Sequence, residues 1–292
     1  MLLALDVGNT NTVFCLFAPA TGAEPAHMVA DWRITTPLKQ TADELGVLFQ
    51  ALFSMRGLKP EIVTGIAVSS VVPPLDAAIR SLCETFFHIR PLFIEPGVKT
   101  GMPVHYDNPA EVGADRIVNS VAAFEKYGGP CIVVDFGTAT TFDVVSRKGE
   151  YLGGVITPGI GISADALFEH TARLPRVDVR KPPRVLATNT VNSLQSGLYY
   201  GYLGLIDGIL ERLMAELDEN VAIVATGGLA PLMGGGSKYI REIDDLLTLE
   251  GLRIIYERNQ AHVRRRNGHP AGNETPEGGS ARETISSVPK PD

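Results

Sequence analysis

Apolar residues open the chain in two short runs separated by turn residues. LLALDVG, then Gly8 and Asn9, then TVFCLFA predict two antiparallel strands, and HMVADWRI predicts a third. The spacing then lengthens to that of a helix. Leu45, Leu48, Phe49, Leu52 and Phe53 share one face, Thr41 and Glu44 form a capping box ahead of them, and Gly57 stops the run. GIAVSSVVPP predicts a short buried strand ended by two prolines, and LDAAIRSLCETFF a second amphipathic helix.

The same order returns further on. A helix is predicted from just after Asp115 to Gly128, followed by strands in CIVVDFG, TTFDVVS and YLGGVITPG. A long helix in NSLQSGLYYGYLGLIDGILERLMAEL then precedes a strand in VAIVATGG. The fold class this predicts is α/β, in two related halves. From Ala261 to Asp292 large apolar residues almost disappear while Gly, Pro, Ser and charge accumulate, so residues 261–292 are expected to form a disordered tail. Its run Arg264 to Arg266 is offset by Glu274, Glu277 and Glu283, which suits a solvated segment better than a basic binding patch.

Composition narrows the classes of function. With 45% apolar and 20% charged residues in 292, the chain has the make-up of a soluble globular protein. A net charge of -7 argues against a general nucleic-acid binder, which needs a basic face, and gives no attraction to anionic membranes. No apolar run approaches the ~18 residues of a spanning helix, and MLLALDVGNT lacks the pattern of a signal peptide, so a cytoplasmic protein is expected. Cys15, Cys83 and Cys131 are isolated in apolar stretches and are expected to be packing residues. No two of the six histidines have metal-ligand spacing.

Candidate chemistry comes from a repeated phrase. LALDVGNTNT at residues 3–12 returns as IVVDFGTATT at residues 132–141. In both, an aspartate ends an apolar strand, a glycine follows two positions later, and Thr or Asn residues fill the turn. Gly8 and Gly137 let a ligand approach the main chain. The amides there, with Asn9, Thr10, Thr12, Thr138, Thr140 and Thr141, can hydrogen-bond phosphate oxygens. Asp6 and Asp135 suit a hard cation such as magnesium, which prefers carboxylates and keeps several waters. Asp-x-Gly is also an ordinary turn, but two copies between paired strands in equivalent halves favour the phosphate reading. A third turn, Thr226-Gly227-Gly228, leaves room for a nucleoside base and ribose.

Together the Asp6, Asp135 and Gly227 turns resemble the two phosphate motifs and the adenosine motif of the superfamily containing actin, hexokinase and acetate kinase. The resemblance implies two ribonuclease H-like domains, residues 1–115 and 116–260, with ATP in the cleft between them. DVGNTNT at Asp6, GADR at Gly113 to Arg116, DFGTATT at Asp135 and GGVITPG at Gly153 are, as an ordered set, similar to the type III pantothenate kinases over nearly the whole chain to about residue 260. That family transfers the γ-phosphoryl group of ATP to the primary hydroxyl of pantothenate, the first step of coenzyme A synthesis. The resemblance also implies magnesium, a monovalent cation (potassium or ammonium) and a homodimer.

By the same resemblance Asp6, Val7, Gly8, Asn9, Thr10, Asn11, Thr12 and Val13 form the first nucleotide loop, Thr138 contacts ATP, and Asp135 holds the monovalent cation. Asp115 accepts the proton of the substrate hydroxyl, and Gly113, Ala114, Arg116 and Tyr106 contact the substrate, with Thr190 reaching it from the partner subunit. A general base needs a carboxylate within hydrogen-bond reach of that hydroxyl, and phosphoryl transfer asks for little more than positioning and charge neutralisation. Without the family, Asp115 reads as a helix N-cap, Thr190 as another cap, Arg116 as a surface ion pair and Tyr106 as an ordinary packed tyrosine. Two other functions stand beside the kinase. One is a sugar or acid kinase or a polyphosphate phosphatase of the same superfamily, against which GADR with GGVITPG argues. The other is a nucleotide-binding regulatory factor, against which the presence of Asp6, Asp115 and Asp135 argues.

Overall fold

The structure is a computed structural model that describes residues 1–22, 24–218 and 220–267, with side chains described as far as residue 262. The first sheet contains β1 (Leu2–Val7), β2 (Asn11–Ala18), β3 (His27–Thr35), β4 (Gly65–Ser70) and β5 (Leu92–Phe93), in the order β3-β2-β1-β4-β5. The second contains β6 (Cys131–Phe136), β7 (Ala139–Val145), β8 (Tyr151–Pro158), β9 (Ala222–Thr226) and β10 (Glu242–Ile243), in the matching order β8-β7-β6-β9-β10. In each sheet the first two strands form an antiparallel hairpin and the first and fourth run parallel. The repeated phrase therefore belongs to a repeated sheet, in the two ribonuclease H-like halves expected.

The helices are α1 (Ala42–Met55), α2 (Pro73–Thr85), α3 (Ala114–Tyr127), α4 (Ile160–Glu169), α5 (Thr190–Leu217), α6 (Ala230–Gly234) and α7 (Leu247–Asn267). The capping box forms as expected: the Thr41 hydroxyl accepts from the Glu44 amide, and the Thr41 amide donates to the Glu44 carboxylate at 2.8 Å. Gly57, at φ +69°, takes the left-handed conformation that ends α1.

Alternation along β1 explains why its sequence is continuously apolar. Leu3, Leu5 and Val7 face α1 and α2, in a core where Phe14 stacks on Phe49 at 4.4 Å and Trp32 on Phe53 at 5.1 Å. Leu2 and Ala4 face the other way, onto Val118, Val121 and Ala122 of α3 and Leu252 and Ile255 of α7. Those two helices also touch Cys131, Val133, Val145 and Val224 of the second sheet, whose outer face is covered by Leu198, Tyr199, Tyr202, Leu203, Ile206 and Leu210 of α5. The layers thus run helices, sheet, helices, sheet, helices. Each fully buried large aliphatic or Phe side chain contributes about 1.5–3 kcal/mol. The three cysteines are buried and unpaired, as packing residues should be.

Several elements were not predicted: β5 and β10, which are two residues each, and the helices α4, α6 and α7. α7 carries Gly251 in its interior, a residue that weakens helices. The structure gives the reason, because a Cβ there would lie 2.3 Å from the Val118 carbonyl oxygen where α7 crosses α3. α7 runs through Ala261, the expected start of the tail, to Asn267. The rest of the tail reading lies outside the described residues, as do the side chains of Arg264 to Arg266. The division expected at 115/116 falls in the first turn of α3, and α7, late in the chain, packs on β1, β2 and β4 of the first half.

Candidate active site

The two copies of the repeated phrase form hairpin turns that face each other. Val7 pairs with Thr12 and Phe136 with Thr140, so the first turn is one residue longer than the second. Within the first, the Gly8 amide donates to the Asn11 carbonyl at 3.1 Å. Thr36, just beyond β3, pins this turn from outside, its hydroxyl donating to the Gly8 carbonyl at 2.5 Å and its amide to that of Thr10 at 2.9 Å. The second turn is held by the Gly159 amide, which donates to the Thr138 carbonyl at 3.0 Å, and by the Tyr202 hydroxyl on Thr140 at 3.1 Å. At the rim the Thr10 and Thr138 hydroxyls meet at 2.9 Å. Asn9, Thr10 and Thr138 are exposed there, while Val7 and Thr12 are buried beneath.

Carboxylates gather on the floor between the turns. Burial pushes Asp6 up to about 8, with the negative charges of Asp115 and Asp135 adding to the shift and Ser69 and Arg33 opposing it. Asp135 rises to about 7 through burial and the charges of Asp115 and Asp143. The Asn119 amide opposes this, donating to Asp135 Oδ2 at 3.0 Å, and is itself oriented by the Thr248 hydroxyl on Asn119 Oδ1 at 2.7 Å. Gly227, at φ +91°, presses the third turn against the site: a Cβ there would lie 2.5 Å from Asp135 Oδ1.

Asp115 is not the N-cap of α3. Gly113 occupies that position without a side-chain bond, and Asp115 is the second helical residue, its Oδ1 accepting the Arg116 amide at 2.8 Å. A Cβ on Gly113 would lie 2.5 Å from that oxygen, so the glycine of GADR makes room for the aspartate. Burial raises the Asp115 pKa, opposed by that amide and by the Arg116 charge.

Arg116 is likewise no surface ion pair. It is 6% exposed, and its Nε donates to Asp143 Oδ1 at 2.7 Å. Asp143 also accepts the Tyr151 hydroxyl at 2.8 Å and the Thr141 hydroxyl at 3.0 Å; burial lifts it to about 6 against the pull of Arg116. Tyr106 stands beside this network, its ring 6.3 Å from that of Tyr151 and over Gly153, where a Cβ would come within 3.8 Å of it. Thr190 lies apart. It is the exposed first residue of α5, and the cap is Asn189, whose Oδ1 accepts the Asn192 amide at 2.9 Å.

The structure therefore brings Asp6, Asp115, Asp135, Arg116, Thr10 and Thr138 together, and adds Asp143, Asn119, Thr36, Tyr151 and Thr248. Two of these left a signal in the sequence. Asp143 is a carboxylate inside the apolar strand TTFDVVS, and an unpaired buried carboxylate is costly enough to demand a partner. Asn119 is four residues after Asp115, on the same helical face. Thr36 and Thr248 come from distant elements and left none.

A family model of type III pantothenate kinase matches residues 2–212. The chain belongs to the type III pantothenate kinase family. Curated relatives of that name include one from Koribacter versatilis, 68% identical over 271 residues, covering 91% of this chain and 98% of the relative. Another, from Myxococcus xanthus, is 56% identical over 261 residues and covers 89% and 100%. Among solved structures, a protein described as a Baf family transcriptional activator from Campylobacter jejuni aligns with TM-score 0.56 at 20% identity, over 89% of this chain and 99% of its own. The activator of 2-hydroxyisocaproyl-CoA dehydratase from Clostridium difficile aligns with TM-score 0.50 at 13% identity, over 93% and 99%. At these identities the structures show a shared fold alone.

Among the described residues no group of three or more His, Cys, Asp or Glu is placed to hold a metal ion by itself. Paired buried carboxylates with oxygen-rich turns above them do fit a magnesium ion that keeps waters and shares phosphate oxygens. No helix among the described residues is long and apolar enough to cross a membrane.

Proposed function

We infer that ATP lies between the Asp6 and Asp135 turns and gives its γ-phosphoryl group to pantothenate there, the family's entry step to coenzyme A. The observation that carries this reading is the convergence of Asp6, Asp115 and Asp135, from β1, α3 and β6, beneath two facing turns joined at Thr10 and Thr138. The residues from Asp6 to Val13, with Thr138, would hold the nucleotide through backbone amides and hydroxyls. Asp115 takes the proton of the pantothenate hydroxyl as it attacks, and its raised proton affinity makes it a stronger base than an exposed aspartate. Gly113, Ala114, Arg116 and Tyr106 line the acceptor side. Bound magnesium would neutralise the phosphate oxygens, with Asp6 the carboxylate nearest the first turn. Asp135, oriented by Asn119, suits a potassium or ammonium ion.

A homodimer is part of this proposal. Leu152 and Ile156 on the edge strand β8 and Ile162, Leu167 and Phe168 on α4 are exposed, with Ile156 at 61%. A second copy would cover this apolar face, and in this reading the exposed Thr190 reaches an acceptor site across the interface. The expected cytoplasmic location agrees with the supply of ATP and pantothenate.

The test is ADP release from ATP and magnesium with and without pantothenate, in sodium, potassium and ammonium buffers. Turnover that requires pantothenate together with potassium or ammonium is expected. Folded protein without pantothenate-dependent turnover in any buffer would overturn the reading and call for a screen of sugar and acid acceptors, then of regulatory partners.

A further inference from the structure

One buried nitrogen of the network around Arg116 has no protein partner. The guanidinium carries five N–H donors in a rigid fork. Its Nε is committed to Asp143, while Nη2 is buried and makes no hydrogen bond. An ionised donor left unpaired in the interior is costly, and it is tolerated where a ligand completes it. The nitrogen lies against the glycine pair of β8, since a Cβ on Gly154 would come 2.9 Å from Nη2. Tyr106 covers the neighbouring Gly153, and Asp115 is adjacent in sequence on the first turn of α3. Asp143 is equally constrained. It is fully buried and accepts from Arg116, Tyr151 and Thr141, the last two on strands β8 and β7 of one sheet.

We propose that Asp143 is a positioning residue for the acceptor substrate: held by Tyr151 and Thr141, it fixes the Arg116 guanidinium so that Nη2 is presented to the carboxylate of pantothenate. The inference rests on the reading of Arg116 as an acceptor contact. It extends that reading to a residue that never touches the substrate and to a specific preference, for an anionic acceptor over a neutral one. Two bonds to one carboxylate from rigid strands are the support that a precisely aimed donor needs. Because Asp143 already balances the charge of Arg116, the acceptor is recognised through a directed, charge-assisted hydrogen bond and not through a general positive field.

The experiment compares pantothenate with its primary amide, in which a neutral group replaces the carboxylate and the phosphorylated hydroxyl is kept. Wild-type enzyme is expected to favour the acid in kcat/KM. Asp143→Asn keeps the shape but has one acceptor oxygen, so it cannot accept from both Tyr151, which donates to Oδ1, and Thr141, which donates to Oδ2, and it loses the negative charge facing Arg116. It is expected to narrow that preference about tenfold, through a KM that rises more for pantothenate than for the amide. Tyr151→Phe, which removes one bond to Asp143 and keeps the ring, is expected to narrow it less and serves if Asp143→Asn does not fold. Arg116→Gln is the control. If it keeps the wild-type preference, or if wild type shows none, the acceptor reading of Arg116 fails and takes the inference with it. If Arg116→Gln loses the preference while Asp143→Asn and Tyr151→Phe lower both substrates equally, the inference alone is overturned.

Discussion

The hydroxyls of Thr10 and Thr138 meet at 2.9 Å, although they belong to different sheets and lie 128 residues apart. Both are exposed, so the bond itself adds little to stability. Its value is as a ruler, because it shows that the two turns are close enough for one phosphate chain to touch both. Thr138→Ala is expected to raise KM for ATP about tenfold and to leave Tm within a degree or so of wild type. Thr138→Ser, which keeps the hydroxyl, should restore the affinity. Steady-state kinetics with a thermal melt would decide, and a large loss of Tm with unchanged KM would make the residue structural.

Asp115 owes its position to the missing side chain of Gly113 and to the Arg116 amide, neither of which depends on its charge. Asp115→Asn keeps the acceptor oxygen and loses the base. The variant is expected to bind ATP within a few-fold of wild type by calorimetry while kcat falls about 10²–10⁴-fold. Near-normal turnover would remove Asp115 from the role of base.

Asp6 carries a proton in the folded chain to about pH 8, against an ordinary value of 3.8. Between those two values the unfolded chain has released this proton and the folded chain has kept it, so stability falls as pH rises through the window. Below the lower value both states are protonated and the penalty vanishes. Asp6→Asn removes the titration, so its Tm is expected to exceed that of wild type at pH 8 by roughly 2–4 °C and to converge with it near pH 4. The same variant is expected to lose activity, a trade common where a site holds like charges together. Magnesium with ATP should close the Tm gap at pH 8 by stabilising wild type alone. Parallel Tm profiles for the two proteins across this range would contradict the assignment.

How much of this was legible in the sequence follows from the range of the signals. The β1–β2 and β6–β7 hairpins, the capping box of α1 and the pairing of Asp6 with Asp135 are local or repeated patterns, and each was readable. α7 was not, because its apolar face meets both sheets, Gly251 interrupts it, and charged residues fill the rest of its surface. In GADR the sequence alone allows the aspartate to be a cap, and only coordinates reveal that Gly113 holds the cap position and that Asp115 lies beside Asp6. From the sequence alone Arg116 looks like a surface ion pair because its counter-ion, Asp143, is 27 residues away.

The placement of α7 has a consequence for synthesis. Leu2, Ala4, Cys15, Phe17 and Ala67 form one face of the first sheet, and that face is completed only by α3 and by Leu252 and Ile255 of α7. On the ribosome the first sheet can close its other side with α1 and α2 early, but this face is only partly covered, by α3, until α7 has emerged. The last helix of the described chain therefore acts as the latch for strands made at its start.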